Sequence, residues 1–288
     1  SHFRFVDDTI AEGGRMLIQA TATWNGSLRS FETLMPYDIA PVWKEFRKLP
    51  LEEQERRLQD PEVKRELVEA ARNYRHKPDP ALPNALQRPV DWDWVFPLLT
   101  PLPPYRSMAE IAAERGQHPV ETMIDLALER HMKLFFMNPS NNENQDFVLA
   151  CIRHPNSAVT FSDSGAHVAT TINPIHSTLL GHWVRNAQAL PLEAAVRKIT
   201  YATASFWGLE GRGLLREGWH ADVVVFDPAT ISPTLPVLTH DLPAGAPRLR
   251  QKSEGIHCTL VNGRVFMRGN EHTGALAGRL MRGPLARN

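Results

Sequence analysis

An α/β fold with a parallel sheet, followed by a small β module, is what this sequence predicts, and three observations carry that reading. Residues 16–20 (Met-Leu-Ile-Gln-Ala), 133–137 (Lys-Leu-Phe-Phe-Met) and 158–161 (Ala-Val-Thr-Phe) are short apolar runs without the alternation of a half-exposed strand, as expected of strands covered on both faces. Segments with apolar side chains at helical spacing separate these runs, the pattern of a parallel sheet with crossover helices. Beyond Gly208 the character changes to short strand-like runs joined by turns.

The elements follow in order. Residues 7–12 look like the end of a helix closed by the glycines at 13 and 14, and 16–20 is the first strand. A polar and aromatic stretch with Trp24, Asn25, Phe31 and Trp43 comes next. Between Pro50 and Arg75 two helices dense in charge are expected. The second starts at Asp60-Pro61, an N-cap followed by proline at the first helical position. Its apolar positions Val63, Leu67, Ala70 and Ala71 mark one buried face on a solvated surface helix, so the charge run needs no partner. Residues 76–104 are rich in proline and carry Trp92 and Trp94, which suits a long inserted, lid-like segment. Helices are expected over 107–116 and 119–130, then the strand at 133–137, a polar loop at 138–142, a helix at 144–153 and the strand at 158–161. A further helix covers 191–199. The expected boundary lies at about 206, with strands at 213–215, 221–227, 256–261 and 264–267, the last two joined by an Asn262-Gly263 turn of the I′ kind.

Composition narrows the function classes. The 288 residues carry 32 basic and 32 acidic side chains, so no net charge draws the chain to nucleic acid or to a membrane surface. At 42% hydrophobic and 22% charged residues the chain is expected to bury a core rather than remain disordered. Two cysteines, Cys151 and Cys258, make no disulfide framework, so a reducing cytoplasm is the expected location and both thiols are expected to be buried and structural. No run approaches the roughly 18 apolar residues of a membrane span. The start, Ser1-His2-Phe3-Arg4, has no targeting pattern and no initiating methionine, so a processed or cleaved chain is expected, with His2 a frayed or tag-derived residue.

The residue that stands out chemically is Asp163. A carboxylate just past a buried parallel strand sits at the carboxyl edge of the sheet, where α/β proteins place their sites. There it can ligate a metal ion and accept a proton from water; the plainer alternative is a strand-end Asx-turn or helix cap. Gly165 permits a tight turn, and Ser164 and His167 could reach a ligand. His154, His167, His176 and His182 form a loose group, with no His-x-His and no His-Glu-x-x-His among them. Dinucleotide, P-loop and serine-hydrolase signatures are absent from the sequence.

Phe161-Ser162-Asp163-Ser164-Gly165-Ala166-His167 resembles the end of the eighth barrel strand of the amidohydrolase superfamily, in the branch of the N-acyl-D-amino-acid deacylases, or D-aminoacylases. The resemblance continues through Gly181-His182-Trp183-Val184-Arg185, residues 192–200, 211–218 and 221–228, Leu242-Pro243-Ala244-Gly245-Ala246, Val261-Asn262-Gly263 and Thr273-Gly274-Ala275. Leu51-Glu52-Glu53 and Asp60-Pro61-Glu62-Val63 are similar to the family's charged insertion. It implies the C-terminal part of a (β/α)₈ TIM-like barrel over 1–205, with the 76–104 segment inserted, and a β-sandwich module over 206–288. The three strands would be the sixth, seventh and eighth. The missing half of the barrel would come from an N-terminal portion of the same enzyme or from a second polypeptide, since an open half-barrel exposes strand edges. The implied chemistry is zinc-dependent hydrolysis of the amide of an N-acyl-D-amino acid or a related small-molecule amide. Asp163 would be metal ligand and general base, His167 and His176 would line the mouth, and the other zinc ligands would lie outside this chain. The alternatives are a relative acting on another amide, a cyclic imide or a dipeptide, and a non-catalytic binding subunit of the same fold.

Overall fold

The computed structural model describes residues 2–75, 89–162, 164 and 174–281. The chain opens with helix α1 (His2–Ala11), with His2 as its first residue, and enters strand β1 (Ile18–Ala20). It then departs on a long excursion. Strand β2 (Asn25–Arg29) leads to helices α2 (Pro41–Phe46), α3 (Leu51–Arg57) and α4 (Pro61–Asn73). Asp60 caps α4 by accepting a 2.9 Å hydrogen bond from the Glu62 N–H, as its place before Pro61 implies. Of the segment 76–104, residues 76–88 lie outside the described residues. Residues 89–104 carry a short 3₁₀ turn (Trp92–Trp94) and strand β3 (Phe96–Pro97), with Val95, Phe96, Leu98 and Leu102 buried, so this part is packed into the molecule.

Helix α5 (Met108–Arg115) begins with a capping box in which Ser107 and Glu110 exchange hydrogen bonds of 3.1 and 2.7 Å, and Gly116 ends it with φ of 63°. Helix α6 (Pro119–Glu129) follows, then strand β4 (Phe136–Asn141). This strand corrects two expectations. It begins three residues later than the apolar run 133–137, because His131 and Met132 have φ of 50° and 62° and the chain is still turning there. It also extends through the residues expected to form a polar loop. Strand β4 runs antiparallel between β2 and β3, with Leu28 opposite Met137 and Phe96 opposite Met137 on the other side. It is therefore no member of a parallel sheet. Pro139 is tolerated because β3 reaches only Phe136 and Met137; at Pro139 the ladder continues on the β2 side alone.

Helix α7 (Gln145–Arg153), capped by Asn144 through a 2.9 Å bond to the Phe147 N–H, returns the chain to strand β5 (Ser157–Val159). Strand β5 pairs in parallel with β1, Ile18 opposite Ser157 and Ala20 opposite Val159. Among the described residues this pair is the parallel part of the structure, two strands where three were expected. Helix α8 (Ile175–Thr178) runs into a π-helical segment (Leu179–Asn186), and helices α9 (Leu192–Ile199) and α10 (Tyr201–Phe206) complete the layer against the pair.

The rest is β. Strands β6 (Val223–Phe226), β7 (Ser232–Pro233), β8 (Val237–Thr239), β9 (Arg248–Arg250), β10 (Ser253–Glu254), β11 (Ile256–Val261), β12 (Arg264–Arg268) and β13 (Glu271–His272) follow. A four-stranded antiparallel sheet has the order β13-β12-β11-β6, and β7 with β10 and β8 with β9 form two small ladders. The turn between β11 and β12 has φ of 48° at Asn262 and 77° at Gly263, the two positive values a I′ hairpin requires. Asn262 is tied down as well: its N–H donates to Asp222 and its side chain accepts from Arg212 and donates to the Ala277 carbonyl. Residues 213–215, expected as a strand, make no ladder; the chain turns at Gly213 with φ of 86° and leaves Leu215 in solvent. Cys151 and Cys258 are half-buried rather than enclosed.

Among the described residues two large apolar cores, with a smaller cluster of Leu28, Leu98, Phe135 and Leu249 that joins the excursion to the β region, explain this arrangement. One is built from residues between Phe31 and Phe136, with Trp43, Leu58, Leu67, Met108 and Met123 at its centre. The other gathers Ala20, Val148, Ile152, Val159, Leu179, Trp183 and Ala195 around the parallel pair and includes Ile231 from the β region. The excursion between β1 and α7 thus has an interior of its own. A polar knot closes one side of it. Arg47 meets Asp38 at 3.0 Å and donates to the Phe31 carbonyl and Gln54 side chain, while burial pushes the Asp38 carboxyl up and Arg47 pulls it down.

Candidate functional site

The carboxyl end of the β1–β5 pair is where the fold concentrates its polar ends. The N–H groups of Thr160 and Phe161 both donate to the Ala20 carbonyl, at 3.1 and 3.2 Å, which holds the chain beside β1 for two residues past the end of β5. The Ser162 and Ser164 hydroxyls lie 3.1 Å apart, bracketing position 163. Asp163 itself and His167 lie outside the described residues. His176 is described. Part of its surface is exposed, but its Nε2 lies 3.3 Å from the carbonyl of Val159, the last residue of β5, so it does stand at this strand end. The Thr160 hydroxyl is buried with no hydrogen-bond partner among the described residues.

The π-helical segment fixes the back of the site. Trp183 donates from its indole nitrogen to the Ala22 carbonyl at 2.7 Å, pinning the backbone just after β1. Arg185 donates to the Ile231 carbonyl at 2.5 Å and ties the same segment to the β region. Both links are made by side chains of the segment to carbonyls of distant parts of the chain, and no periodicity in the sequence announces them. Gly181 sits where these parts converge: a Cβ there would lie 2.7 Å from the Ile231 carbonyl oxygen and 2.8 Å from a Leu102 methyl. Gly181→Ala is expected to destabilise the protein by about 1–3 kcal/mol through overpacking, read as a lower urea midpoint with an unchanged slope.

Burial sets the protonation of the nearby groups. Loss of water around His176, opposed by its contact with the Val159 carbonyl, holds its pKa below the ordinary histidine value, and burial does the same to His182, whose Nδ1 has no partner among the described residues. Both rings are thus favoured neutral in the folded state. Their stabilising contribution is present above the ordinary value of 6.5 and is lost as the pH falls below it through the folded-state values. Urea unfolding at pH 7.5 and 5.5 is expected to show lower stability at the acid value, and the double variant His176→Gln, His182→Gln should show a smaller difference.

A cleft of about 610 Å³ opens beside this strand end. Gln19, Ala20 and Thr21 of the β1 edge form its floor, Phe3 and Val6 of α1 and Phe147 and Cys151 of α7 its walls, and Phe161, Asn25 and Asn142 its rim. Among the described residues no acidic or basic side chain lines it. Burial raises the Cys151 thiol, so it faces the cleft in its neutral form. The sequence did not single out this cleft, because its aromatic walls come from two helices more than a hundred residues apart. Among the described residues no group of three His, Cys, Asp or Glu side chains is placed to hold a metal ion, and no helix is long and apolar enough to cross a membrane. The described residues therefore do not by themselves form a metal site.

With this geometry in view, comparison with known proteins assigns the chain. A model of the amidohydrolase family matches residues 22–267. The chain belongs to the amidohydrolase family. The match begins just after β1 and takes in nearly all of the excursion, strand β5 and most of the β region of this amidohydrolase. A D-aminoacylase of Alcaligenes xylosoxydans xylosoxydans is 32% identical over 195 residues, which is 67% of this chain and 36% of that one. An N-acyl-D-aspartate deacylase of the same organism is 43% identical over 99 residues, 34% of this chain and 18% of that one. A crystal structure of D-aminoacylase is similar with 28% identity and a TM-score of 0.39, covering 61% of this chain and 34% of that one. The amidohydrolase chain described here thus spans little more than a third, at most, of the curated relatives it matches.

Proposed function

We propose that this chain is the C-terminal part of a deacylase that hydrolyses the amide bond of N-acyl-D-amino acids. The observation that carries the reading is the similarity to a D-aminoacylase and an N-acyl-D-aspartate deacylase, taken together with the strand end at which Ser162 and Ser164 bracket Asp163. The β1–β5 pair is read as two neighbouring strands of a (β/α)₈ barrel, the four-stranded sheet as one face of a β-sandwich, and the remaining strands of both as parts supplied by the N-terminal half of the enzyme or by a second polypeptide. That reading accounts for the exposed Val224 and Val225 of β6, which lies at the sheet edge.

In this mechanism Asp163 accepts the proton of the attacking water and passes it to the leaving amine. The imidazole of His176, held to the end of β5, is proposed as a substrate-binding group, with His167 proposed beside it. The aromatic cleft takes the apolar part of the substrate and excludes water from it. Zinc completes the proposal as an ion that would polarise the amide carbonyl, with Asp163 its ligand from this chain and the others from outside it.

The test is a panel of N-acyl-D- and N-acyl-L-amino acids offered to the complete enzyme, with release of the free amino acid measured. Turnover confined to the D-series is the expected result. Turnover only of dipeptides or cyclic imides would move the protein to another amidohydrolase activity. Binding of these amides with no turnover would identify a binding subunit.

A further inference from the structure

A groove of about 210 Å³ lies at the seam between the excursion and the C-terminal β region. Leu98 and Leu99, which follow β3, Leu134 and Phe135, which precede β4, and Leu235, which precedes β8, give it apolar walls. Leu98, Leu134 and Phe135 are buried, whereas Leu99 and Leu235 are 38% and 40% exposed, so part of this apolar surface is open to a ligand. Arg130 and Lys133 line the same groove. They stand at the two ends of a turn in which His131 and Met132 take positive φ and the Lys133 N–H donates to the Arg130 carbonyl at 3.0 Å. Met132 is fully buried and anchors that turn in the core of the excursion. Neither cationic side chain has a hydrogen bond or an ion pair among the described residues. Acids close to the turn are engaged otherwise: Glu55 meets His131 at 3.2 Å and Glu129 meets Arg115 at 2.9 Å. Glu32 feels the charge of Lys133 but does not line the groove.

The two kinds of surface decide what fits. An inorganic anion leaves the leucines in water, and a wholly apolar molecule covers the two cations without giving them a partner. A peptide or a sugar brings several polar groups, and among the described residues the lining offers them no hydrogen-bonding side chain besides Arg130 and Lys133. The volume is below the roughly 300–1,000 Å³ of pockets that enclose a drug-sized molecule, so the occupant is small. We propose that the groove binds a short-chain aliphatic carboxylate, its tail against Leu98, Leu99 and Leu235 and its head group between Arg130 and Lys133. A guanidinium fork matches the two oxygens of a carboxylate, and an ammonium group beside it adds a second positive charge. The groove shares no lining residue with the cleft beside the β1–β5 strand end, and this inference does not rest on the deacylase reading.

Titration of the complete protein with hexanoate tests it, with acetate and hexanol as controls. Hexanoate is expected to bind, and acetate, which lacks the tail, and hexanol, which lacks the charge, should each bind at least about tenfold more weakly. The double variant Arg130→Gln, Lys133→Gln should weaken hexanoate about tenfold, the effect of losing two exposed ion pairs, with Tm unchanged. Leu235→Glu, which brings a negative charge to the groove, should weaken it at least as much. No binding of hexanoate, hexanol binding as tightly as hexanoate, or an affinity unchanged in either variant would overturn the proposal, the last because the carboxylate would then sit elsewhere on the protein.

Discussion

Trp43→Ala is expected to destabilise the protein by about 3–5 kcal/mol, the range for removing a large buried aromatic. Trp43 is 0% exposed and sits at the centre of the core formed between Phe31 and Phe136. Its ring lies 6.3 Å from Phe31 and 5.8 Å from Tyr37, and its indole nitrogen donates to the Leu67 carbonyl at 3.0 Å, joining α2 to α4. Alanine removes the ring from both aromatic neighbours and leaves a space bounded by two helices, which cannot close without moving both. Trp43→Phe separates the two contributions. It keeps most of the buried surface and loses the hydrogen bond, so about 1 kcal/mol is expected. Urea unfolding followed by circular dichroism reads both variants. Because this core shares no buried residue with the one around β1 and β5, the alanine variant should also broaden the transition, the excursion unfolding ahead of the rest. A cost below about 1 kcal/mol for Trp43→Ala would show that the excursion contributes little to the cooperative unit.

The parts of the fold that local chemistry dictates were legible in the sequence. Asp60 before Pro61, Ser107 three residues ahead of Glu110, and Asn144 at the head of α7 cap their helices as their residue types imply. Asn262-Gly263 makes the expected hairpin turn, because few other pairs accept two positive φ values in succession. What the sequence could not show is partnership. Asn25–Arg29 reads as a polar connection, and becomes a strand only because Phe136–Asn141, more than a hundred residues later, lies antiparallel beside it. The apolar run at 133–137 therefore satisfied the pattern of a buried parallel strand while belonging to another sheet.

The site divides in the same way. Asp163, Ser164, His167 and His176 stand out in the sequence because carboxylates, hydroxyls and imidazoles after a buried strand suit chemistry, and His176 lies at the end of β5. The anchors were hidden. Trp183 reaching the Ala22 carbonyl and Arg185 reaching the Ile231 carbonyl stand on a π-helical segment that no pattern in the sequence marks.

Asp163→Asn is expected to lower kcat/KM for an N-acyl-D-amino acid by about 10²–10⁴-fold, the usual contribution of a positioned general base. The substitution keeps the shape of the side chain and removes its ability to take a proton, so the effect isolates the charge. The flanking Ser162 and Ser164 hydroxyls lie 3.1 Å apart, and that contact should survive the change. A loss of activity alone would not separate a chemical role from a structural one. Two further readouts do. The acid limb of the pH profile of kcat/KM should disappear in Asp163→Asn, because the group whose ionisation it reports is gone, while Tm should stay within a few degrees of the unaltered protein. Asp163→Glu keeps the carboxylate but displaces it, and should recover part of the rate with the acid limb intact. Activity within about threefold of the unaltered enzyme in the asparagine variant would remove Asp163 from the reaction as its proton acceptor.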